Sequence, residues 1–313
     1  MAAMRILLLV ILVLAGAWAT AAVATEAFSR WHKPRGQMID IGGRSLRLVC
    51  MGPKSERPVI WMEAGAFSGA ADFGAIQQKL AARGLRSCAY DRAGMAYSDP
   101  GPRPRDGDAI TTDLEALIAR SGEAGPFVFM GHSMAGLYVR QYAARHPDQV
   151  VGLVLLDAVT PEMVGLPGAQ RLIDGMTTFA RVAAATGSLG LTKPLYFLGD
   201  RIGLPPEAKT EKRRGFISGR QSRNALAEVL GWRTAVDQAA APLDPAWPVA
   251  VITAGPESPR MDMWNAVRHA PARDARHGRI ENIEQATHTT MLGLVHGDRA
   301  VAGVEFVLEK AGR

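Results

Sequence analysis

The chain has 313 residues, 48% of them hydrophobic, enough for a large buried core, and this excludes a disordered or fibrous protein. Its formal charge of +6 is spread through arginines rather than gathered into basic stripes interleaved with aromatics, so no nucleic-acid partner is expected. The sequence holds no metal-ligand spacing, phosphate-cradling loop or dinucleotide fingerprint, so neither a metal nor a cofactor is expected.

From Ile6 to Thr25 no residue is charged and Arg5 precedes the run, so residues 1–25 read as a signal peptide or membrane anchor rather than part of the fold. Ile6 to Leu14 is short enough for a signal, and Ala22-Val23-Ala24 offers a small-x-small cleavage site. The whole run also reaches the roughly 20 residues that a spanning helix needs. Both readings stay open; either places the folded part outside the cytoplasm, exported or held at a membrane by the uncleaved segment. The basic clusters Lys212-Arg213-Arg214 and Arg273 to Arg279 read as solvated faces, able to rest on anionic headgroups if a bilayer is near.

Met38 to Ile41 and Ser45 to Cys50 alternate as two strands joined at Gly42-Gly43, a hairpin. Pro58 to Met62 is a uniformly apolar strand that ends in Glu63-Ala64-Gly65-Ala66. A helix to about Arg83 carries Phe73, Ile76 and Leu80 on one stripe, and Leu85 to Tyr90 is the next strand. After the turn-rich loop Asp91 to Pro100 comes a helix over Ile110 to Ile118. It leads into the strand Phe127 to Met130, and Val150 to Leu156 is another apolar strand. Strands alternating with helices at this spacing predict a mostly parallel sheet covered on both faces. Between Asp157 and Trp247 no strand pattern occurs for about ninety residues, too long for a plain loop. The expected organisation is therefore a core over residues 36–158 and 247–313 with a helical unit inserted at 159–246. Pro248 to Thr253 and Arg279 to Ile283 restore the strand rhythm, and Val301 to Lys310 closes the chain as a helix.

The most informative stretch is Gly131-His132-Ser133-Met134-Ala135-Gly136, set between a buried strand and a helix that Pro147 stops. A serine in so tight a strand-to-helix turn needs small neighbours, here Gly131, Ala135 and Gly136. The turn lifts its hydroxyl clear of the sheet, and the Met134 amide, at the positive end of the helix, faces any negative charge that develops there. The usual pattern has glycine where Ala135 stands; here glycine comes one place later. The two cysteines bear on compartment as well. In an exported chain they favour one disulfide over free buried thiols, provided the fold sets the strands of Cys50 and Cys88 side by side.

Together Glu63-Ala64-Gly65-Ala66, Asp91-Arg92-Ala93-Gly94 with Tyr97-Ser98-Asp99, the Ser133 turn and a late His288 resemble the α/β-hydrolase superfamily, more narrowly its exported bacterial hydrolases. The resemblance covers the chain from about Gly36 to the end. It implies an eight-stranded sheet with its second strand antiparallel and a lid inserted after the sixth strand. In that strand order the second and fourth strands are neighbours, so Cys50 would face Cys88.

A serine hydroxyl needs a base to take its proton. Of seven histidines, His288 follows the last strand and matches the catalytic histidine of the superfamily. His296 is a rival at the start of the closing helix, and His132 would point away from the serine. The third member is a carboxylate that holds the imidazole. Asp157, after the sixth strand, corresponds to an acid that some lid-bearing relatives use. Glu257, after the seventh, corresponds to the commoner position, although glutamate departs from the usual aspartate there, and Asp157 is preferred for that reason. The oxyanion hole would use the amides of Met134 and Ala66. Glu63 reads as a residue that ties down its loop, and Asp91-Arg92 as a structural ion-pair and turn element.

The resemblance implies a serine hydrolase that cleaves a small-molecule ester through an acyl-enzyme. The apolar residues Met163, Met176, Phe179 and Trp232 of the insert suggest a hydrophobic acyl or alcohol part. The same nucleophile could serve amide cleavage, acyl transfer or perhydrolysis, and a catalytically silent binding protein on this fold is the alternative of another class. Dehalogenase and epoxide hydrolase chemistry is disfavoured, because relatives that do it carry aspartate where Ser133 stands.

Overall fold

The computed structural model describes residues 2–313, the side chains of residues 30, 259 and 260 excepted. Helix α1 (Ala2–Trp31) carries the apolar N-terminal run and continues past it to Trp31. Strands β1 (Gln37–Asp40) and β2 (Ser45–Met51) form the expected hairpin, with Asp40 Oδ1 accepting from the amides of Gly42 and Gly43 at 2.9 and 3.0 Å. Both glycines have positive φ, 105° and 84°, which a side chain would resist. Then follow β3 (Val59–Glu63), α2 (Gly74–Ala82), β4 (Ser87–Tyr90), α3 (Gly107–Ser121), β5 (Phe127–His132), α4 (Ala135–Arg145) and β6 (Val150–Leu156). Helix α3 starts where the Asp106 side chain accepts from the Ala109 amide and stops at left-handed Gly122, so its ends follow from ordinary capping.

Next come the inserted helices α5 (Ala169–Ser188), α6 (Pro206–Phe216), α7 (Gly219–Leu230) and α8 (Trp232–Gln238), with a 3-10 turn at Lys193–Leu198. Strand β7 (Val249–Ala254), α9 (Pro259–Asp274), β8 (Gly278–Ile283) and α10 (Asp298–Lys310) complete the chain. The eight strands form one sheet in the order β1-β2-β4-β3-β5-β6-β7-β8. Strand β2 runs antiparallel to both neighbours and the remaining pairs are parallel. Cys50 pairs with Cys88 across the β2–β4 ladder, and their sulfurs are bonded.

Side chains alternate across this sheet and build a core on each face. Ile60, Met62, Val128, Met130, Val154 and Leu156 pack with Phe73, Ile76 and Val304 on the side of α2 and α10. Trp61, Phe127, Phe129, Leu153 and Leu155 pack with Leu114, Leu117, Val139 and Tyr142 on the side of α3 and α4. Because the central strands are parallel, their carboxyl ends share one edge. Ser133 and Asp157 directly follow two of them, β5 and β6.

Helix α9 has no counterpart in the sequence reading. Its residues, PRMDMWNAVRHAPARD, carry no apolar stripe and include Pro271, so neither periodicity nor propensity marks it. The Lys212-Arg213-Arg214 run also differs from the expected solvated face. Lys212 pairs with Asp72 at 2.7 Å, Arg213 lies over the Phe197 ring and Arg214 donates to Ser29 O at 3.0 Å.

Candidate active site

Ser133 and Asp157, directly after β5 and β6, have positive φ, at 57° and 43°, as do Phe67 and Ala96 in the loops after β3 and β4, at 59° and 34°. Backbone strain of this kind costs on the order of 1–3 kcal/mol per residue and persists only where the surroundings enforce it. The enforcement is visible. The Ser133 amide donates to Leu156 O at 3.1 Å, and Ser133 O accepts from Gly136 and Val159 at 3.1 and 2.9 Å. Asp157 donates from its amide to Ile252 O at 2.7 Å. The two strained residues are thus stitched to neighbouring strands.

The small residues around Ser133 have separate reasons. A Cβ on Gly136 would lie 2.4 Å from Val159 O, and one on Gly131 would lie 2.9 Å from Val139. Ala135 is buried and accommodated, so the glycine that this turn requires is the one that comes a place late. A Cβ on Gly65 would lie 2.8 Å from the Ser133 Cβ, so only glycine lets the loop after β3 pass so close to the serine. Ala66 follows in that loop. Neither its amide nor that of Met134 donates to another group among the described residues.

His288 Nδ1 lies 2.5 Å from Asp157 Oδ2. Because the Asp157 carboxylate can only accept, this contact fixes the tautomer: Nδ1 carries the hydrogen when the ring is neutral, leaving the lone pair on Nε2. Nε2 and Ser133 Oγ have no hydrogen-bond partner among the described residues, and the His288 side chain is 47% exposed against 8% for Asp157. The turn that presents His288 is held by reciprocal bonds, Thr287 N–H to Thr290 Oγ1 at 2.8 Å and Thr290 N–H to Thr287 Oγ1 at 3.2 Å. Glu257, the other candidate acid, is exposed beyond β7 and makes no hydrogen bond or ion pair with His288. His296 lies ahead of α10, where its carbonyl accepts from the Arg299 amide.

Three residues at this edge take roles that the sequence does not mark. Arg268, on α9, donates from Nη1 to Asp157 Oδ1 and from Nη2 to Asn265 Oδ1 at 2.7 Å. Burial alone would raise the Asp157 carboxyl, but the His288 hydrogen bond and the Arg268 charge outweigh it and hold the group below the usual carboxylate range. His132 does not simply turn away from the serine. Its Nε2 donates to the His288 carbonyl at 2.8 Å, and the two rings lie 4.5 Å apart. Burial first, then the nearby His288, pushes its pKa down to about 3, so it is neutral at ordinary pH. Glu228, on α7, chelates Arg92 at 3.1 and 2.7 Å.

Arg92 also donates to Glu63 at 2.7 Å, to Gly65 O at 2.9 Å and to Ala64 O, while the Tyr90 hydroxyl donates to Glu63. Glu63 therefore does hold its loop. Asp91 and Arg92 are both ion-paired, but not to each other: Asp91 takes Arg47 at 2.6 Å. Among the described residues, one group could bring three metal-binding side chains together, Cys50, Cys88 and Glu123. Its two sulfurs are bonded to each other and Glu123 is chelated by Arg86 at 2.7 and 2.6 Å, so it offers no metal site.

Residues 58–253 match the family described as the alpha/beta hydrolase fold, and the chain belongs to that family. It is similar to the pyrethroid hydrolase of Sphingobium wenxiniae, at 35% identity over 111 residues, 33% of this chain and 39% of that protein. The chain spans less than half the length of the curated relatives it matches. Among solved structures it is similar to a thermophilic esterase from Thermogutta terrifontis, with TM-score 0.65, 19% identity and coverage of 89% of this chain and 100% of that one. It is also similar to an epoxide hydrolase from Vigna radiata, with TM-score 0.64, 18% identity and coverage of 87% and 97%. At such identities the likeness establishes the fold.

Proposed function

We propose that the protein is a serine hydrolase that cleaves carboxylic esters with a hydrophobic acyl or alcohol part. Ser133 Oγ would attack the ester carbonyl while His288 Nε2 takes its proton, and Asp157 would stabilise the imidazolium through Nδ1. The amides of Ala66 and Met134 would receive the charge on the carbonyl oxygen. His288 would then protonate the departing alcohol, leaving an acyl group on Ser133. A water molecule, deprotonated by the same imidazole, would release the acid.

The observation that carries this reading is the 2.5 Å contact between Asp157 Oδ2 and His288 Nδ1, which leaves Nε2 unpartnered at the edge where Ser133 is held in a strained turn. The ester preference is supported by the apolar cluster that joins Met134, Ala66 and Phe67 to Met176 and Trp232 of the insert. The disulfide and the apolar N-terminal run support a location outside the cytoplasm. Labelling with a fluorophosphonate probe, beside turnover of short and long p-nitrophenyl esters, tests the assignment. Wild type should label and turn over esters, and Ser133→Ala should lose both, with kcat down by about 10⁴ or more. Equal labelling of the two proteins would refute the nucleophile, and no turnover at any chain length would favour a binding protein.

A further inference from the structure

Ala2–Ser29 is, among the described residues, the one helical stretch long and apolar enough to cross a membrane. Its side chains from Ile6 to Leu14 are apolar and exposed on every side, the pattern of a helix surrounded by lipid. Its last turns are docked. Glu26 pairs with Lys193 at 3.1 Å, the Phe28 ring meets Tyr196 edge-on at 5.9 Å, and Ser29 O accepts from Arg214 at 3.0 Å. All three partners belong to the inserted helices, so the end of α1 is fixed against them.

The residues beside those partners are apolar and uncovered: Leu189 at 75% exposure, Phe197 at 63% and Leu198 at 55%. The uncovered surface continues along α5. Leu172, Met176, Phe179 and Ala183 recur at helical spacing, but the helix buries the flank that holds Ala180, Ala184 and Gly187 and leaves Leu172 and Phe179 outside. From Leu189 to Phe179 is about 15 Å along the helix. There Phe179 meets Phe67 at 5.4 Å, and Phe67 belongs to the cluster that contains Met134. A cleft of about 330 Å³ where α1 meets the insert is lined by Lys193, Arg214 and Arg220 as well as Glu26, which gathers basic groups at the docked end of α1, groups of the charge that anionic headgroups attract.

We propose that this surface rests on a lipid bilayer, with the Lys193–Leu198 turn and the exposed flank of α5 in the interfacial layer beside α1. Protein surfaces made for water rarely leave so many large apolar side chains uncovered on neighbouring segments. Continuity with α1 selects lipid as the cover over a second copy of the chain. If the ester-cleaving reading holds, a lipid-dissolved ester would reach Ser133 along α5; the docking itself does not depend on that reading.

The test uses the full chain in phosphatidylcholine–phosphatidylglycerol vesicles. Its native cysteines are bonded to each other, so single substitutions Leu189→Cys, Leu198→Cys, Val13→Cys and Glu309→Cys can each carry an environment-sensitive fluorophore. Val13 lies within α1, and Glu309 lies at the end of α10, near the opposite edge of the sheet where Val307 approaches Gly152. With lipids spin-labelled high on the acyl chain, positions 189 and 198 should lose about half or more of their emission, as position 13 does, while position 309 stays bright. Quenching at 13 alone, or at none of them, overturns the proposal. Blue-shifted emission at 198 without quenching overturns it in favour of a second copy of the chain.

Discussion

Two arginines reach the carboxyl edge of the sheet and close on carboxylates, with opposite results. Arg92 is buried and satisfied: it binds Glu63, Glu228 and two carbonyls, and so locks the loop after β3 to helix α7 of the insert. Arg268 closes on one oxygen of Asp157 and leaves the other to His288, whose far nitrogen has no partner among the described residues. The first network spends all its hydrogen-bonding capacity on holding the structure. The second ends in an imidazole that is half exposed, with its far nitrogen facing outward from the pair. Buried charges with every site filled build a scaffold, and the second cluster differs in leaving one nitrogen unfilled at the edge of the sheet.

The largest expected effect breaks the second network at its centre. Asp157→Asn should lower kcat by about 10⁴ while the fold persists, because the imidazole loses its tautomer and its counter-charge. Glu257→Gln, measured beside it, should keep wild-type kcat; the reverse outcome would move the acid to β7.

Breaking the first network should act on stability. Arg92→Met leaves Glu63 and Glu228 buried without their counter-ion and should cost about 3–5 kcal/mol in urea unfolding. Arg268→Gln should instead lower kcat/KM by about tenfold with a much smaller loss of stability, since Asp157 keeps His288. Equal loss of stability in the two variants would erase the distinction between the networks.

A smaller effect comes from His132, which packs between them. In the unfolded chain a histidine gains its proton near pH 6.5, whereas the folded protein keeps His132 neutral down to about 3. Below pH 6.5 the unfolded state therefore binds more protons, and stability present above that pH is lost as the pH falls. The share of His132 should be roughly 3 kcal/mol between pH 6.5 and 4. Urea unfolding of His132→Gln across this range should show a flatter pH dependence than wild type, and an unchanged slope would refute the assignment.

What could be read in the sequence was local. The Ser133 turn is strand, small residues and helix within a few positions, and the sheet follows from apolar runs separated by helices. The His132 bond was not legible, since it depends on where the His288 turn lands 156 positions away. Glu228 lies 136 positions from Arg92, and nothing around it marks a buried carboxylate. Arg268 was hidden with its helix, because the apolar residues of α9 form no stripe and the helix is held by what its arginine and Ala272 bury. The choice between Asp157 and Glu257 turned on loop conformation after two adjacent parallel strands, which residue type alone does not set.

The most direct measurement is a crystal structure of the protein after reaction with a fluorophosphonate. It should show phosphorus bonded to Ser133 Oγ, a phosphoryl oxygen accepting from the amides of Ala66 and Met134, and His288 Nε2 within hydrogen-bond reach of the adduct. An adduct on another residue, or a phosphoryl oxygen turned away from both amides, would contradict the account.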